Sequence, residues 1–217
     1  MIGIYGGTFD PIHFGHLRVA LEISETLRLS ELRFIPCQIP PHRERPGASA
    51  EQRLRLLQAA LSNAPPQFTI DTRELDRAGP SYMVDTLQTI RREIGELSPM
   101  ALILGMDAFM GLPGWHCWKT LPNLAHIVVM SRPSFKPDWP HDLEDGLRHR
   151  AVDTMHELHH HPSGRIWFTE VTVLDISASK IRGLLKQGLS PRYLTPDPVL
   201  DLIGELDLYH IQADQNA

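Results

Sequence analysis

The sequence predicts an α/β fold built on a mostly parallel sheet, and three observations carry that reading. Short apolar, β-branched runs alternate with segments of helical spacing almost from the first residue. The first such run stops at Gly6-Gly7 and leads directly into a helix-like segment. Helical segments then separate each strand candidate from the next, which calls for right-handed βαβ crossovers with helices on both faces of the sheet. The result is a Rossmann-like architecture, whose ligands bind at the carboxyl ends of the strands near a topological switch point.

The elements follow in order. Met1–Tyr5 is a β-branched and aromatic strand, and Gly15–Leu29 carries Leu17, Ala20, Leu21, Ser24 and Leu27 near helical spacing. Leu32–Pro36 is the second strand, followed by a Pro- and Arg-rich loop over Gln38–Gly47. Ser49 with Gln52 makes a capping-box start for a helix over Ala50–Asn63. Phe68–Asp71 is a strand, Tyr82–Leu97 a helix and Ala101–Leu104 a strand. A helix over Ala108–Leu121, broken around Pro113-Gly114, precedes the strand His126–Met130. Beyond Arg132 the texture changes: Pro133, Pro137 and Pro140 mark a loop, a polar His-rich helix is expected over Leu143–His159, and Arg165–Leu174 returns to strand. Two helices, Ser177–Gln187 and Asp197–Leu206, close the reading. Residues 1–175 are expected to form the sheet domain, with 176–217 a small helical C-terminal part of the same globule.

Composition narrows the function. The 217 residues compare with roughly 100–200 for a typical domain. A hydrophobic share of 42% can build a core without disulfides or a structural metal. Lys plus Arg number 21 against 26 Asp plus Glu, and the net charge of −5 argues against a general nucleic-acid binder. A local basic site for a phosphorylated small molecule fits that balance. Two cysteines without framework spacing suit a reducing compartment. Neither a secretory leader nor a run of the roughly 20 apolar residues a membrane helix needs is evident, so a cytoplasmic protein is expected. No feature of the sequence points to an oligomeric state.

The chemistry concentrates in Gly6-Gly7-Thr8-Phe9-Asp10-Pro11-Ile12-His13-Phe14-Gly15-His16. The stretch links the first strand to the first helix, where an α/β sheet offers backbone N–H groups to an anion. Gly6 and Gly7 let the backbone approach a phosphate. His13 and His16, three residues apart, project to one side and can donate to phosphoryl oxygens as charge builds up. The pattern is neither a Walker A loop nor a dinucleotide GxGxxG fingerprint. A glycine turn with two helix-start histidines would explain any one of these residues, but not the whole string in this context.

The string resembles the HxGH signature of the nucleotidyltransferase superfamily, and GGTFDPIHFGH is similar to its nicotinate-mononucleotide adenylyltransferase branch. Further resemblances fall in family order: PPHR (Pro40–Arg43), GPSYMVDTL (Gly79–Leu87), LGMDAF (Leu104–Phe109), LPGW (Leu112–Trp115), VVMSRP (Val128–Pro133) and ISASKIR (Ile176–Arg182). The resemblance implies adenylyl transfer from ATP to nicotinate mononucleotide in NAD biosynthesis, forming nicotinate adenine dinucleotide and pyrophosphate. Related acceptors, nicotinamide mononucleotide or phosphopantetheine, are the alternative. It implies Mg2+ accompanying ATP, held mainly by the nucleotide and water, with no metal ligands in the protein. His13, His16 and Arg182 would then be catalytic. Gly6, Gly7, Thr8, Phe9, Gly105, Asp107, Ser177 and Ser179 would bind ATP. Arg43, Met83, Trp115, His116 and Arg132 would bind the mononucleotide.

Each assignment has a plainer rival. Ser177 suits a helix N-cap, yet Ser177, Ser179, Lys180 and Arg182 crowd one helix start as a donor-rich, positive site. Asp107 could cap the helix after ALIL, or accept from ribose hydroxyls there. A lone Trp115 is more often core than stacking platform. Arg43 and Arg132 could grip phosphate in a fork, whereas Arg45 reads as a solvated surface charge. His156, His159, His160 and His161 read as a solvated face rather than a metal site. Two rivals from other classes are a nucleotide sensor without turnover and a metal-dependent phosphohydrolase built on Asp10, His13 and His16.

Overall fold

The computed structural model describes residues 1–39, 46–77, 79–132, 139 and 141–209, with the side chains of 141, 142 and 144 excepted. The N-terminal half alternates as expected: β1 (Ile2–Gly7), α1 (Phe14–Thr26), β2 (Glu31–Pro36), α2 (Ala50–Leu61) and β3 (Phe68–Ile70). Then come α3 (Met83–Ile94), β4 (Met100–Gly105), the short α4 (Met106–Met110) and α5 (Leu121–Leu124), and β5 (His126–Ser131). The remainder comprises α6 (His141–Leu147), β6 (Ala151–Val152), α7 (His156–His160), β7 (Ile166–Glu170), α8 (Ala178–Lys186) and α9 (Asp197–Glu205).

Among the described residues the strands form one sheet in the order β3-β2-β1-β4-β5-β7-β6. Each neighbouring pair is parallel. Alternate strand residues feed opposite faces, as the pleat requires. Ala101, Ile103, Val128 and Met130 join the side that also buries Val19, Ile23, Leu56 and Leu57 of α1 and α2. Leu102, Leu104, Ile127 and Val129 join the side that buries Val84, Leu87 and Ile90 of α3. Val199 and Ile203 of α9, with Leu208 and Tyr209, belong to the first of these clusters.

Two expected helices are not continuous. Ala108–Leu121 resolves into α4, 3-10 turns at Leu112–Gly114 and Trp118–Thr120, and α5. Pro113 and Pro122 each lack the N–H that an unbroken helix requires, and Cys117 between them is left-handed with φ of 50°. The expected Leu143–His159 helix is α6, a 3-10 turn at Arg148–Arg150, β6 and α7. Ala151 and Val152 leave the helix to pair with Ile166 and Trp167, so backbone hydrogen bonding to the sheet edge overrides the local pattern. The strand expected over Arg165–Leu174 is confined to β7.

Arg91, buried at the end of α3, secures the base of the sheet. Its guanidinium donates to the carbonyls of Gly95, Ser98, Leu124 and Pro162 at 2.6–3.1 Å. One side chain thereby ties the segments leading into β4, β5 and β7 at their amino ends. The opposite ends are those where the chemistry is expected.

Candidate active site

The chain leaves β1 toward β2 and β3 and later returns on its other side through β4, so the switch point lies between β1 and β4. Gly6 and Gly7 end β1, and Gly105 ends β4. The two glycines of the loop sit in close contact with neighbouring side chains. A Cβ at Gly6 would lie 2.7 Å from Met83 Cε, and one at Gly7 would lie 2.8 Å from the Phe9 ring. Phe9 is buried with φ of 49° and packs edge-on to His16, with ring centroids 5.3 Å apart. The Thr8 hydroxyl accepts from the Cys37 thiol at 3.7 Å. The Thr8 carbonyl accepts from Arg53 Nη1 at 2.7 Å.

His13 is the N-cap residue of α1 but makes no capping bond through its side chain. Its ring stacks on His16 at a centroid distance of 3.7 Å. His13 is 6% exposed, its Nδ1 has no hydrogen-bond partner, and burial pulls its pKa down to about 4. Near pH 7 it is therefore a neutral imidazole that offers an N–H rather than a cation. Gly15 makes the stack possible. A Cβ there would stand 2.9 Å from His13 Nδ1 and 3.3 Å from the Ile176 carbonyl, which opens the C-terminal motif.

Asp10 draws that motif and the loop together. Its carboxylate is buried and accepts from Gly47 N–H at 2.8 Å, Ala48 N–H at 3.1 Å and Tyr209 Oη at 2.7 Å. Arg182 Nη1 donates to the Asp10 carbonyl at 2.6 Å and lies 3.5 Å from Oδ2. Arg182 Nη2 faces Ser179 Oγ at 3.4 Å. Ser177 caps α8, its hydroxyl accepting from Lys180 N–H at 3.2 Å. The glycine loop and the ISASKIR segment are thus adjacent in space. Engaged in this way, the Asp10 carboxylate is a structural acceptor, which removes it from the ligand set a metal-dependent hydrolase would need.

The other candidates come from α3 and from the segments that follow β4 and β5. Met83 opens α3 and rests on Gly6, so its side chain sits at the end of β1. Trp115 is half-buried against the α3 side of the core, and its N–H is held by the Leu112 carbonyl at 2.9 Å. His116 is exposed and packs on Tyr82 with ring centroids 4.4 Å apart. Arg132 follows β5 and is exposed. Gly105, not Asp107, is the N-cap of α4. Asp107 lies one residue inside the helix, exposed and without a capping bond, so the capping explanation for it fails. Arg43 and Arg45, with the rest of Pro40–Arg43, lie outside the described residues, as do Pro133, Pro137 and Pro140.

The family described as cytidylyltransferase-like matches residues 4–184. A protein of Methylococcus capsulatus named a probable nicotinate-nucleotide adenylyltransferase is 54% identical over 96% of this chain and 99% of its own length. One of the same name from Halorhodospira halophila is 49% identical over 96% of this chain and 94% of its own. This chain belongs to the nicotinate-nucleotide adenylyltransferase family. The fold agrees at much lower identity. A Plasmodium falciparum nicotinic acid mononucleotide adenylyltransferase, solved in complex with NaAD, is similar with a TM-score of 0.73 and 20% identity, each chain covered to 96%.

Within this family site, sequence reasoning passed over four residues. Gly15 was read only as part of a string, and Asp10 only as a possible metal ligand. Arg53 is 1% exposed and donates to the carbonyls of Thr8, Cys37 and Gln38 at the ends of β1 and β2. A signal for it existed: it stands three and four residues before Leu56 and Leu57, on the buried face of α2. Tyr209 had no local signal, because its partner is 199 residues away. Among the described residues no three or more His, Cys, Asp or Glu side chains gather in a way that could hold a metal ion, the His156–His161 segment included. No described helix is long and apolar enough to cross a membrane.

Proposed function

We propose that this chain transfers the adenylyl group of ATP to nicotinate mononucleotide, forming nicotinate adenine dinucleotide and releasing pyrophosphate. The mononucleotide phosphate, already an anion, attacks the α-phosphorus of ATP. A new P–O bond forms as the bond to the pyrophosphate oxygen breaks, and the electron pair leaves with pyrophosphate. No side chain needs to act as nucleophile, so catalysis is positioning and relief of charge. In this reading His13 and His16 donate to the α-phosphate, and Arg182 with Ser177 and Ser179 receives the departing pyrophosphate. Gly6, Gly7, Thr8 and Phe9 line the phosphate path, and Gly105 and Asp107 face the adenosine. Arg43 and Arg132 hold the mononucleotide phosphate, while Met83, Trp115 and His116 border its ring. Mg2+ enters as part of the ATP substrate, bound by phosphate oxygens and water; the three donors on the Asp10 carboxylate, with Arg182 beside it, keep it from serving the ion.

The observation that carries this reading is the 2.6 Å bond from Arg182 to the Asp10 carbonyl, which joins the two phosphate motifs across 172 residues. A hydrolase or a passive sensor needs no such pairing of a loop for the attacked phosphate with a helix start for the leaving one. The proposal includes a cytoplasmic enzyme without nucleic-acid or membrane partners, with 1–175 and 176–217 acting as one globule. The test is to incubate the protein with ATP, Mg2+ and a panel of phosphorylated acceptors, following pyrophosphate and product mass. Nicotinate mononucleotide should be consumed fastest. ATP hydrolysis without an acceptor, or no turnover with any, would overturn the reading. Met83, which brings no hydroxyl to the pocket, makes nicotinamide mononucleotide the acceptor to compare most closely.

A further inference from the structure

We propose that Tyr209 is a positioning residue for this reaction, holding Arg182 in register with the ATP phosphates through Asp10. The inference rests on the reading of Arg182 as the pyrophosphate ligand. Tyr209 is buried, and its Oη donates to Asp10 Oδ1 at 2.7 Å. The same carboxylate takes the N–H groups of Gly47 and Ala48, and Arg182 lies against both its Oδ2 and the carbonyl of the same residue.

The ring matters as well as the hydroxyl. A Cβ on Gly47 would lie 3.2 Å from the Tyr209 ring and 3.5 Å from Arg182 Cδ, so the tyrosine and the arginine stem flank one backbone position. The ring lines the backbone position that the arginine stem also lines, and the phenol fixes the carboxylate that the guanidinium leans on. Nη1 is thereby committed to Asp10 while Nη2 stays on the Ser179 side, where a phosphate would be met. Burial and the adjacent Asp10 carboxylate hold the phenol well above its ordinary pKa, so it remains a donor across the working range.

Tyr209→Phe keeps the ring and removes only the donor. ATP dissociation constants would be measured by calorimetry without acceptor, in the parent and Arg182→Ala backgrounds, beside thermal midpoints and the KM for nicotinate mononucleotide. Loss of one hydrogen bond to a charged group should weaken ATP binding about tenfold in the parent background. It should weaken it no further in the Arg182→Ala background, because the arginine through which Tyr209 acts is gone. The mononucleotide KM should stay within about twofold, since that contact is not made by Arg182. Unchanged ATP binding in Tyr209→Phe, or an equal loss in both backgrounds, would overturn the proposal, the second by marking a general structural role. An Arg182→Ala protein that binds ATP like the parent would instead overturn the assignment of Arg182, and this inference with it. Asp10→Asn, which keeps the carbonyl but weakens the carboxylate, should show the same arginine-dependent pattern; a loss independent of Arg182 counts against the relay.

Discussion

The imidazoles of His13 and His16 lie nearly face to face, their centroids 3.7 Å apart and their planes 29° from parallel. Two cations cannot share that spacing in a buried pocket without strong repulsion. Burial already holds His13 neutral near pH 7. In the proposed reaction the pair presents preorganised N–H dipoles to phosphoryl oxygen, and their value appears as charge grows in the transition state.

His16→Ala should lower kcat by at least about 10²-fold, the scale for one lost transition-state donor. KM values should move much less, because the contact strengthens only as charge develops. Steady-state kinetics with both substrates varied checks this, and near-parental kcat would remove His16 from the catalytic set.

Gly15→Ala tests the stack without touching either imidazole. The added methyl must displace the His13 ring or the Ile176 carbonyl, both inside 3.4 Å. A shift of that kind in a catalytic donor can cost about 10²-fold in rate. We expect a kcat loss of that order with a circular-dichroism spectrum like the parent's. Full activity would mean that the stacked geometry is not needed.

Acid should destabilise the fold over a defined window. His13 and His126 both fall from 6.5 to about 4 on folding, each chiefly through burial. His126 Nδ1 accepts from Arg165 N–H at 3.1 Å, which leaves Nε2 to donate to the His161 carbonyl at 2.8 Å. A second ring proton would meet a donor. Between pH 6.5 and 4 the unfolded chain binds more protons, so stability is complete above 6.5 and falls as pH drops toward 4. Urea midpoints across this range should show the decline, and His126→Gln should flatten part of it.

Met83 bears on acceptor choice. The family pattern places a threonine there, whose hydroxyl could donate to the nicotinate carboxylate; methionine has no comparable donor. One hydrogen bond to a charged group is worth about 1.5–3 kcal/mol. Met83→Thr should therefore raise the acid-over-amide ratio by one to two decades, read by competing the two mononucleotides at limiting enzyme. The parent should still prefer the acid; an equal or reversed preference would sink that assignment.

Arg91→Ala should destabilise by roughly 2–4 kcal/mol, because four carbonyls that accept from one buried guanidinium side chain lose their donor at once. Lysine should recover only part, having a point charge in place of a fork. Denaturant melts measure both, and kcat of the folded fraction should change little, since Arg91 lies at the end of the sheet remote from the site.

Much of this was legible from local pattern. The capping box at Ser49 and Gln52 forms with both hydrogen bonds, and Ser177 caps α8. Such features depend on residues three apart, and a linear reading sees them. The parallel sheet with helices between its strands followed from alternation and crossover handedness. What escaped were charges on buried faces and distant pairs. Arg53 and Arg91 look like solvated charges until the carbonyls that accept from them come from other segments. Asp10 and Tyr209 become a pair only once α9 has docked on α2. The His-rich stretch was misread because β6 gains its bonds from β7, not from its own neighbours.

The span between Asp10 and Tyr209 also sets an order of events during synthesis. Translation proceeds at about 5–20 residues per second, so roughly 10–40 s separate the two residues at the ribosome. For most of that interval the glycine loop has neither residue, since Arg182 follows Asp10 by 172 positions and Tyr209 by 199. A nascent chain can complete its first strand–helix units early, yet its phosphate site closes only with the last helix. A chain released just short of residue 209 would leave the Asp10 carboxylate with the Gly47 and Ala48 N–H groups but without the phenol that completes its set of donors.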